Sequence, residues 1–327
     1  MRRRDFVGFA ASAAAAMPWR AFAQQDGRKP IVGLITAFTD SEMQPIADAF
    51  RQRMRELGWT DGRNVRLDVL TSNGDYDKLA ADAGRLVAAR ADIIVAMGTP
   101  SVTATRKHTL TTPVVFTQVA DPVGQHLIAS LARPGGNLTG LTNFEFSFGG
   151  MWIELVQQLD PRVSHLTVIA NPANNNTTEF ARSIRAAGVS VKVGVEIAWV
   201  HNAAEIREAI ERCSGQSAGG LVIFPDSLAV VNRTLIIELA AQFRLPAVYP
   251  FRIFVQSGGL VSYGTDFKAI YRQAAEYTDK ILKGAKPADM PVQAPTKFEL
   301  VLNVRTAKAL GLTIPVPLQI AADELMD

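Results

Sequence analysis

The chain has 327 residues, 48% of them hydrophobic, and carries a formal net charge of +3 at neutral pH. Residues 1–23 hold four arginines and one aspartate, which account for that whole charge, so the rest of the chain is close to neutral. A neutral chain with no run of Lys and Arg after residue 23 is not expected to bind nucleic acid or an anionic membrane surface.

The first 23 residues have the three parts of an export signal. Arg3 and Arg4 belong to a basic head, an alanine-rich apolar run covers residues 7–17, and small residues lead to Ala23. The run is shorter than the ~20 residues that span a bilayer, which predicts a signal peptide cleaved after Ala23 and a periplasmic protein. Phe6 after the two arginines favours twin-arginine export, with general secretion as the alternative.

The cysteine and histidine content argues against disulfides and metals. Cys213 is the only cysteine, so no intramolecular disulfide can form, no acylated cysteine follows the cleavage site, and a small buried filler is the expected role. The histidines are far apart and have no partner at helical spacing: His108, His126, His165 and His201. No metal and no cofactor are therefore predicted.

Apolar runs and helical spacing alternate along the first half of the chain. Short apolar runs predict strands at residues 30–35, 64–70, 93–97 and 113–117. Helical spacing predicts helices at 41–57 and 76–90, one opening at Gly98 and a short one after 121–123. The turn-rich stretch 133–137 then predicts a break between two domains.

The pattern restarts in the second half. Strands are predicted at 166–170, 189–197, 220–224, 246–249, 259–263 and 297–302, the second of them from alternating valines. Helices are predicted at 176–187, 203–212, 228–243, 267–282 and 304–310. Alternating helices and continuous apolar strands predict an α/β fold of two doubly wound, Rossmann-like lobes with parallel sheets.

Ligands of open α/β sheets bind beyond the carboxyl ends of the strands, and here those loops are rich in hydroxyl, amide, carboxylate and aromatic side chains. They predict a cleft for a small polar molecule. The candidate ligand-binding residues are Thr36, Phe38, Thr99, Ser101, Asp121, Asn171, Asn174, Asp226, Ser227, Tyr249, Phe251, Tyr263 and Asp266.

Several candidates also have a purely structural interpretation. Pro100 suits a first helical turn and Thr99 a helix cap, so this helix N-terminus either holds an anion or is simply capped by its own hydroxyls. Asp121 and Asp226 either pair with a ligand ammonium or cap the following helix. Tyr249, Phe251 and Tyr263 either stack on a flat ligand or pack in the core.

The catalytic motifs do not fit their required context. Residues 215–219 match the string G-x-S-x-G, but a helix is predicted before them and a strand after them, the reverse of a nucleophile elbow. No nucleotide-binding glycine loop follows the first strand. The sequence therefore predicts that the chain is not an enzyme.

Several longer stretches resemble the extracytoplasmic substrate-binding proteins of ABC transporters, of the type that includes tryptophan-binding lipoprotein-like members. The matching stretches keep the family's order over nearly the whole mature chain: residues 56–65, 97–101, 121–123, 130–140, 281–291, 297–300 and 310–315. The resemblance implies a fold similar to type I periplasmic binding proteins, with three hinge segments near residues 142–143, 264–265 and 293–294. It implies one lobe from 30–142 plus 265–293 and another from 143–264 plus 294–327.

The resemblance also implies a function. A monomeric protein would close its lobes on a carboxylate or amino-acid-like ligand, aromatic ones included, and deliver it to an ABC permease in the inner membrane. Two alternatives remain at this stage: a module that presents its ligand to a membrane receptor, and an exported Rossmann-like enzyme. Unlike lipoprotein members, this chain has no cysteine for acylation.

Overall fold

The structure is a computed structural model that describes residues 28–143, 148–174, 177–295 and 297–327. The predicted signal peptide, with its twin arginines and its cleavage site, lies outside the described residues. Within the described ranges, no helix is long and apolar enough to cross a membrane.

The first lobe is built on a parallel sheet with the strand order β2-β1-β3-β4-β5. Its strands are β1 (Ile31–Thr36), β2 (Arg66–Thr71), β3 (Ile93–Met97), β4 (Val114–Val119) and β5 (Leu138–Thr142). Every residue of β1, β3, β4 and β5 is buried, as continuous apolar runs covered on both faces require.

The helices of this lobe include one from much later in the chain. They are α1 (Asp40–Glu56), α2 (Tyr76–Ala88), α3 (Gly98–Arg106) and α10 (Phe267–Leu282). α10 packs along α1, where the rings of Phe50 and Tyr271 meet edge to face at 6.4 Å between centroids. This packing returns residues 267–282 to the sheet of the first lobe.

The second lobe has the strand order β12-β11-β10-β9-β8-β6-β7. Its strands are β6 (His165–Ala170), β7 (Gly194–Trp199), β8 (Gly219–Ile223), β9 (Ala247–Tyr249), β10 (Val261–Thr265), β11 (Phe298–Asn303) and β12 (Glu324–Met326). Its helices are α4 (Phe148–Leu159), α5 (Thr177–Val191), α6 (Ala203–Ser214), α7 (Ser227–Val231), α8 (Arg233–Gln242), α9 (Arg252–Gln256), α11 (Val304–Ala309) and α12 (Val316–Ala321). A 3-10 turn at Pro287–Asp289 packs instead against β5 of the first lobe.

The predicted fold class, two doubly wound α/β lobes, is confirmed by this topology. One detail of the prediction is wrong, because β11 runs antiparallel to β10 in a sheet expected to be parallel throughout. The chain passes between the sheets after β5, between β10 and α10, and before β11. At the last passage the Gln293 amide donates to the carbonyl of Gly140 over 3.1 Å, so this segment runs beside β5.

Some element predictions fail where local patterns mislead. The alternating valines at 189–197 predict one strand, but α5 continues to Val191 and β7 begins only at Gly194, with Val189 79% exposed. The helix predicted at 228–243 is broken at Asn232. The segment after Asp121 forms turns instead of a helix, and β5 and α4 were not predicted.

Candidate functional site

A cavity lies between the lobes, where the carboxyl ends of strands from both sheets meet. Its volume is about 540 Å³ when the part open to solvent is included. The predicted site residues that line it are Phe38, Thr99, Asn174, Asp226, Ser227 and Phe251. Gln118, Asn143, Thr177, Phe180 and Phe267 also line it and were not predicted.

Aromatic rings from both lobes form one contiguous part of the lining. Phe38 follows β1, Phe251 follows β9, and Phe267 opens α10. The Phe267 ring lies edge-on to Phe38 at 5.9 Å and tilted against Phe251 at 4.5 Å, between ring centroids. Such contacts fix the rings and leave an apolar surface that suits an aromatic or aliphatic group.

Asp226 is the acidic residue in the lining, and it is held by amides. Its carboxylate accepts hydrogen bonds from Nδ2 of Asn171 and Nδ2 of Asn174, both over 3.0 Å, and from the amide of Leu228 over 2.8 Å. Burial raises the pKa of this carboxyl, since a desolvated negative charge is costly. Among the described residues that line the cavity there is no Lys, Arg or His to neutralise it.

The N-terminus of α3 forms another part of the lining through Gly98, Thr99 and Pro100. The interpretation of Thr99 as the cap is wrong: the helix begins at Gly98, and its N-cap is Met97, which makes no side-chain capping bond. The hydroxyl of Ser101, one residue beyond the lining, is buried without a hydrogen-bond partner among the described residues. The N-terminus of a helix favours an anion through its first backbone N–H groups and the helix dipole.

Two buried amide oxygens in the lining have no hydrogen-bond partner in the described part of the chain. They are Oε1 of Gln118 and Oδ1 of Asn143. Gln118 adopts φ +60 at a register shift between β4 and β5, a strained conformation for a residue with a side chain. Buried acceptors without donors are uncommon, and here a ligand N–H or O–H would satisfy them.

The sequence had a signal for some of the missed residues. Gln118 comes directly after the predicted strand 113–117, but the predicted loop beyond that strand begins at residue 120. Asn143 follows β5, whose sequence Leu-Thr-Gly-Leu-Thr was not recognised as a strand. Phe180 shows no distinguishing pattern, because it is one of the apolar residues on the buried face of α5.

The other predicted residues lie outside the lining. Tyr249 is buried in the core and stacks on Phe254 at 5.0 Å, and Tyr263 stacks on Phe148 at 5.5 Å. Asp266 caps α10, and Thr36 accepts the amide of Phe38 over 3.1 Å. Asp121 accepts the amide of Gly124 over 2.8 Å and Asn171 lies behind Asp226.

The catalytic motif and the metal site considered from the sequence have no counterpart in the described part of the structure. Residues 215–219 connect α6 to β8, so the G-x-S-x-G string sits in a helix-to-strand turn. In the ranges that the structure covers, no three His, Cys, Asp or Glu side chains are grouped to hold a metal ion.

Comparison with known proteins places the chain among transport proteins. Residues 32–326 match the family model described as ABC transporter substrate binding protein. A curated relative, a tyrosine-binding protein of Clostridioides difficile (strain R20291), is 26% identical over 281 residues, covering 86% of this chain and 81% of the relative.

Solved structures share the fold. A crystal structure of an ABC domain from Streptococcus pneumonia in complex with L-Trp is 24% identical, with a TM-score of 0.85, covering 91% of this chain and 100% of that one. A conserved domain protein from Vibrio cholerae O1 biovar eltor is 27% identical, with a TM-score of 0.82, covering 92% of this chain and 100% of that one. These likenesses extend over both lobes.

Proposed function

The chain belongs to the ABC transporter substrate-binding protein family, and we propose that its interlobe cavity captures an aromatic α-amino acid for import. Members of this family are the extracytoplasmic binding components of ABC transporters and are not enzymes. The relative named for tyrosine binding supports an amino acid as ligand. The single observation that carries the proposal is the buried carboxylate of Asp226, which faces the cavity and has no cationic partner among the described residues.

Asp226 provides the site for the ligand's ammonium group. A buried carboxylate surrounded only by neutral amides keeps a desolvation cost that a ligand cation would offset. The free acceptor oxygens of Gln118 and Asn143 can take the remaining ammonium hydrogens or another ligand N–H. A neutral sugar or a simple carboxylic acid would leave the charge of Asp226 uncompensated.

The carboxylate of the ligand would bind at the N-terminus of α3. The N-terminus of α3 presents backbone N–H groups and the positive end of the helix dipole, and this combination favours a carboxylate. The rings of Phe38, Phe251 and Phe267 offer the apolar contact for the ligand side chain. Together these groups suit a zwitterion with an aromatic side chain.

The two lobes act together in this proposal. The lining comes from both, so a bound ligand stabilises the form in which they are closed, and an ABC permease in the inner membrane recognises that form. The three passages between the sheets serve as the hinge. We further propose that the mature protein is a periplasmic monomer, released from its signal peptide after Ala23.

A ligand panel tests the proposal. Purified mature protein is mixed with L-tyrosine, L-tryptophan, L-phenylalanine, tyramine, which lacks the carboxylate, and 3-(4-hydroxyphenyl)propionate, which lacks the ammonium. At a ligand concentration 100 times its Kd, a ligand adds about 2.7 kcal/mol to the unfolding free energy, measured by thermal unfolding. We expect this stabilisation from at least one aromatic amino acid and much less from both truncated analogues. If none of the three amino acids stabilises the protein, the proposed ligand class is wrong.

A further inference from the structure

A tyrosine outside the cavity connects the two lobes through the proposed ligand site. Tyr76 is the first residue of α2 in the first lobe, and Asn171 follows β6 in the second lobe. Nδ2 of Asn171 donates one hydrogen bond to the Tyr76 hydroxyl over 3.1 Å and another to Oδ1 of Asp226 over 3.0 Å. Tyr76 itself does not belong to the lining.

The amide of Asn171 is fixed in orientation by its partners. Its Nδ2 uses both hydrogens on Tyr76 and Asp226, and its Oδ1 accepts the amide of Ala173 over 2.9 Å. The side chain is buried, with 4% of its surface exposed. Any rotation of the amide that changes its bond to Tyr76 therefore also changes its bond to Asp226.

This bond exists only when the lobes are together. α2 packs in the first lobe and β6 in the second, so separation of the lobes breaks the contact between Tyr76 and Asn171. A contact made in one of two conformations raises the population of that conformation and the apparent affinity of a ligand that binds it. The burial of Tyr76 raises the pKa of its phenol, so the hydroxyl stays neutral and keeps its proton.

We propose that Tyr76 is a positioning residue that holds the lobes closed over bound ligand, acting through Asn171 on Asp226. It sets how long the ligand stays bound without touching it. Neither the family match nor the named ligands of relatives assign this role. The inference rests on the proposed function, because it requires a ligand in the cavity next to Asp226.

The test compares Tyr76→Phe with wild type, using as probe the aromatic amino acid of the panel that stabilises wild type most. Phe keeps the ring and removes the hydroxyl. Losing one net hydrogen bond of the closed form should raise the dissociation rate roughly 3- to 10-fold, measured by stopped-flow fluorescence. The association rate and the melting temperature of the ligand-free protein should stay unchanged.

Tyr277→Phe is the matched control. Tyr277 donates its hydroxyl to the carbonyl of Pro291 inside the first lobe, so this variant loses a comparable bond that does not join the lobes. It should leave the dissociation rate at the wild-type value. An equal acceleration in both tyrosine variants would mean that the effect is general loosening and would overturn the role of Tyr76.

A second readout tests the path through Asn171. In an Asn171→Ala background, which has already lost the connection, Tyr76→Phe should cause no further change in the dissociation rate. An unchanged rate in Tyr76→Phe alone, or a full effect in the Asn171→Ala background, overturns the inference while the proposed function stands. Failure of wild type to bind any of the three amino acids overturns the proposed function itself.

Discussion

At the scale of single residues, Asp226 combines a structural role with a place in the proposed ligand site. Its carboxylate caps α7 by accepting the amide of Leu228, as the purely structural interpretation of the sequence predicts. The same carboxylate lines the cavity. A helix cap at the carboxyl end of a strand lies at the edge of the sheet where ligands bind, so the two interpretations do not compete here.

Replacing Asp226 by Asn should lower the affinity for an aromatic amino acid about 10- to 100-fold, because a charge-assisted hydrogen bond contributes about 1.5–3 kcal/mol. Isothermal titration calorimetry measures the change. Asp121→Asn is the matched control: Asp121 also follows a strand but lies outside the lining, so its variant should bind like wild type. Wild-type affinity in Asp226→Asn would remove Asp226 from the site.

The pH dependence of binding follows from the same residue. Burial raises the pKa of Asp226 from its ordinary value, so acidification through that pKa neutralises the carboxylate and weakens its pairing with an ammonium. The effect of this carboxyl on folding stability has the opposite pH dependence to its effect on binding. The stability that it contributes is fully present below its unfolded-state pKa and is lost as pH rises through its folded-state pKa. The neighbouring phenol of Tyr76, whose pKa is also raised, stays neutral. Calorimetry across the acidic range should show weakening in wild type that is absent in Asp226→Asn.

At the scale of elements, sequence patterns succeeded where one strong local signal dominated. The predicted strand 93–97 and helix 267–282 match β3 and α10 at both ends. β3 is a buried apolar run, and Asp266 caps α10 by accepting the amides of Lys268 and Ala269. Strand β5 was missed because its small and polar residues lack such a run, although the sheet buries all of them.

Gly140 in β5 should not tolerate a side chain. A Cβ at this position would lie 2.0 Å from the backbone carbonyl oxygen of Phe116 in β4, which cannot move without disrupting the strand pair. Gly140→Ala should lower the free energy of unfolding by about 3 kcal/mol, at the upper end of ordinary overpacking costs, as measured by urea denaturation.

Gly136→Ala serves as the control for this substitution. Gly136 lies just before β5, and a Cβ there meets no atom within 4 Å. Its variant should unfold within about 0.5 kcal/mol of wild type, as surface substitutions usually do. Equal stability of the two alanine variants would show that the close approach of β4 and β5 at Gly140 is relaxed in solution.

At the scale of the whole molecule, the lobes also touch through a charged pair at the rim. Arg233 at the start of α8 pairs with Glu42 of α1, and Arg233 also donates to the carbonyl of Val230 over 3.1 Å. Only 1% of the Glu42 side chain is exposed. The pair therefore joins α1 of the first lobe to α8 of the second in a partly desolvated setting.

Arg233→Met should shift the molecule toward separated lobes. It removes the charge that pairs with Glu42 but keeps an apolar stem of similar reach, so the lobes themselves should remain folded. Small-angle scattering should show a larger radius of gyration than wild type without ligand, and a saturating amino acid should reduce the difference. Exposed Arg182, which pairs with Glu179 within α5, supplies the control variant Arg182→Met. Scattering profiles identical to wild type would show that the rim pair does not hold the lobes together.

The sequence by itself determined the alternation of strands and helices, the two α/β lobes and the edge of each sheet where the interlobe cavity lies. These features depend on hydrophobic periodicity and turn residues, which are local properties that every segment carries with it. The matching stretches from residue 56 to residue 315 likewise indicated the family that the comparison with known proteins then established.

The tertiary structure alone decided which strand-end loops meet. It placed Tyr249 and Tyr263 in aromatic packing away from the cavity and brought Gln118, Asn143 and Phe267 into the lining. Strand order and the approach of one lobe to the other result from contacts between residues far apart in the chain, such as Tyr76 and Asn171. Local periodicity contains no information on those contacts, because it reports whether a residue is buried and not which residue it is buried against.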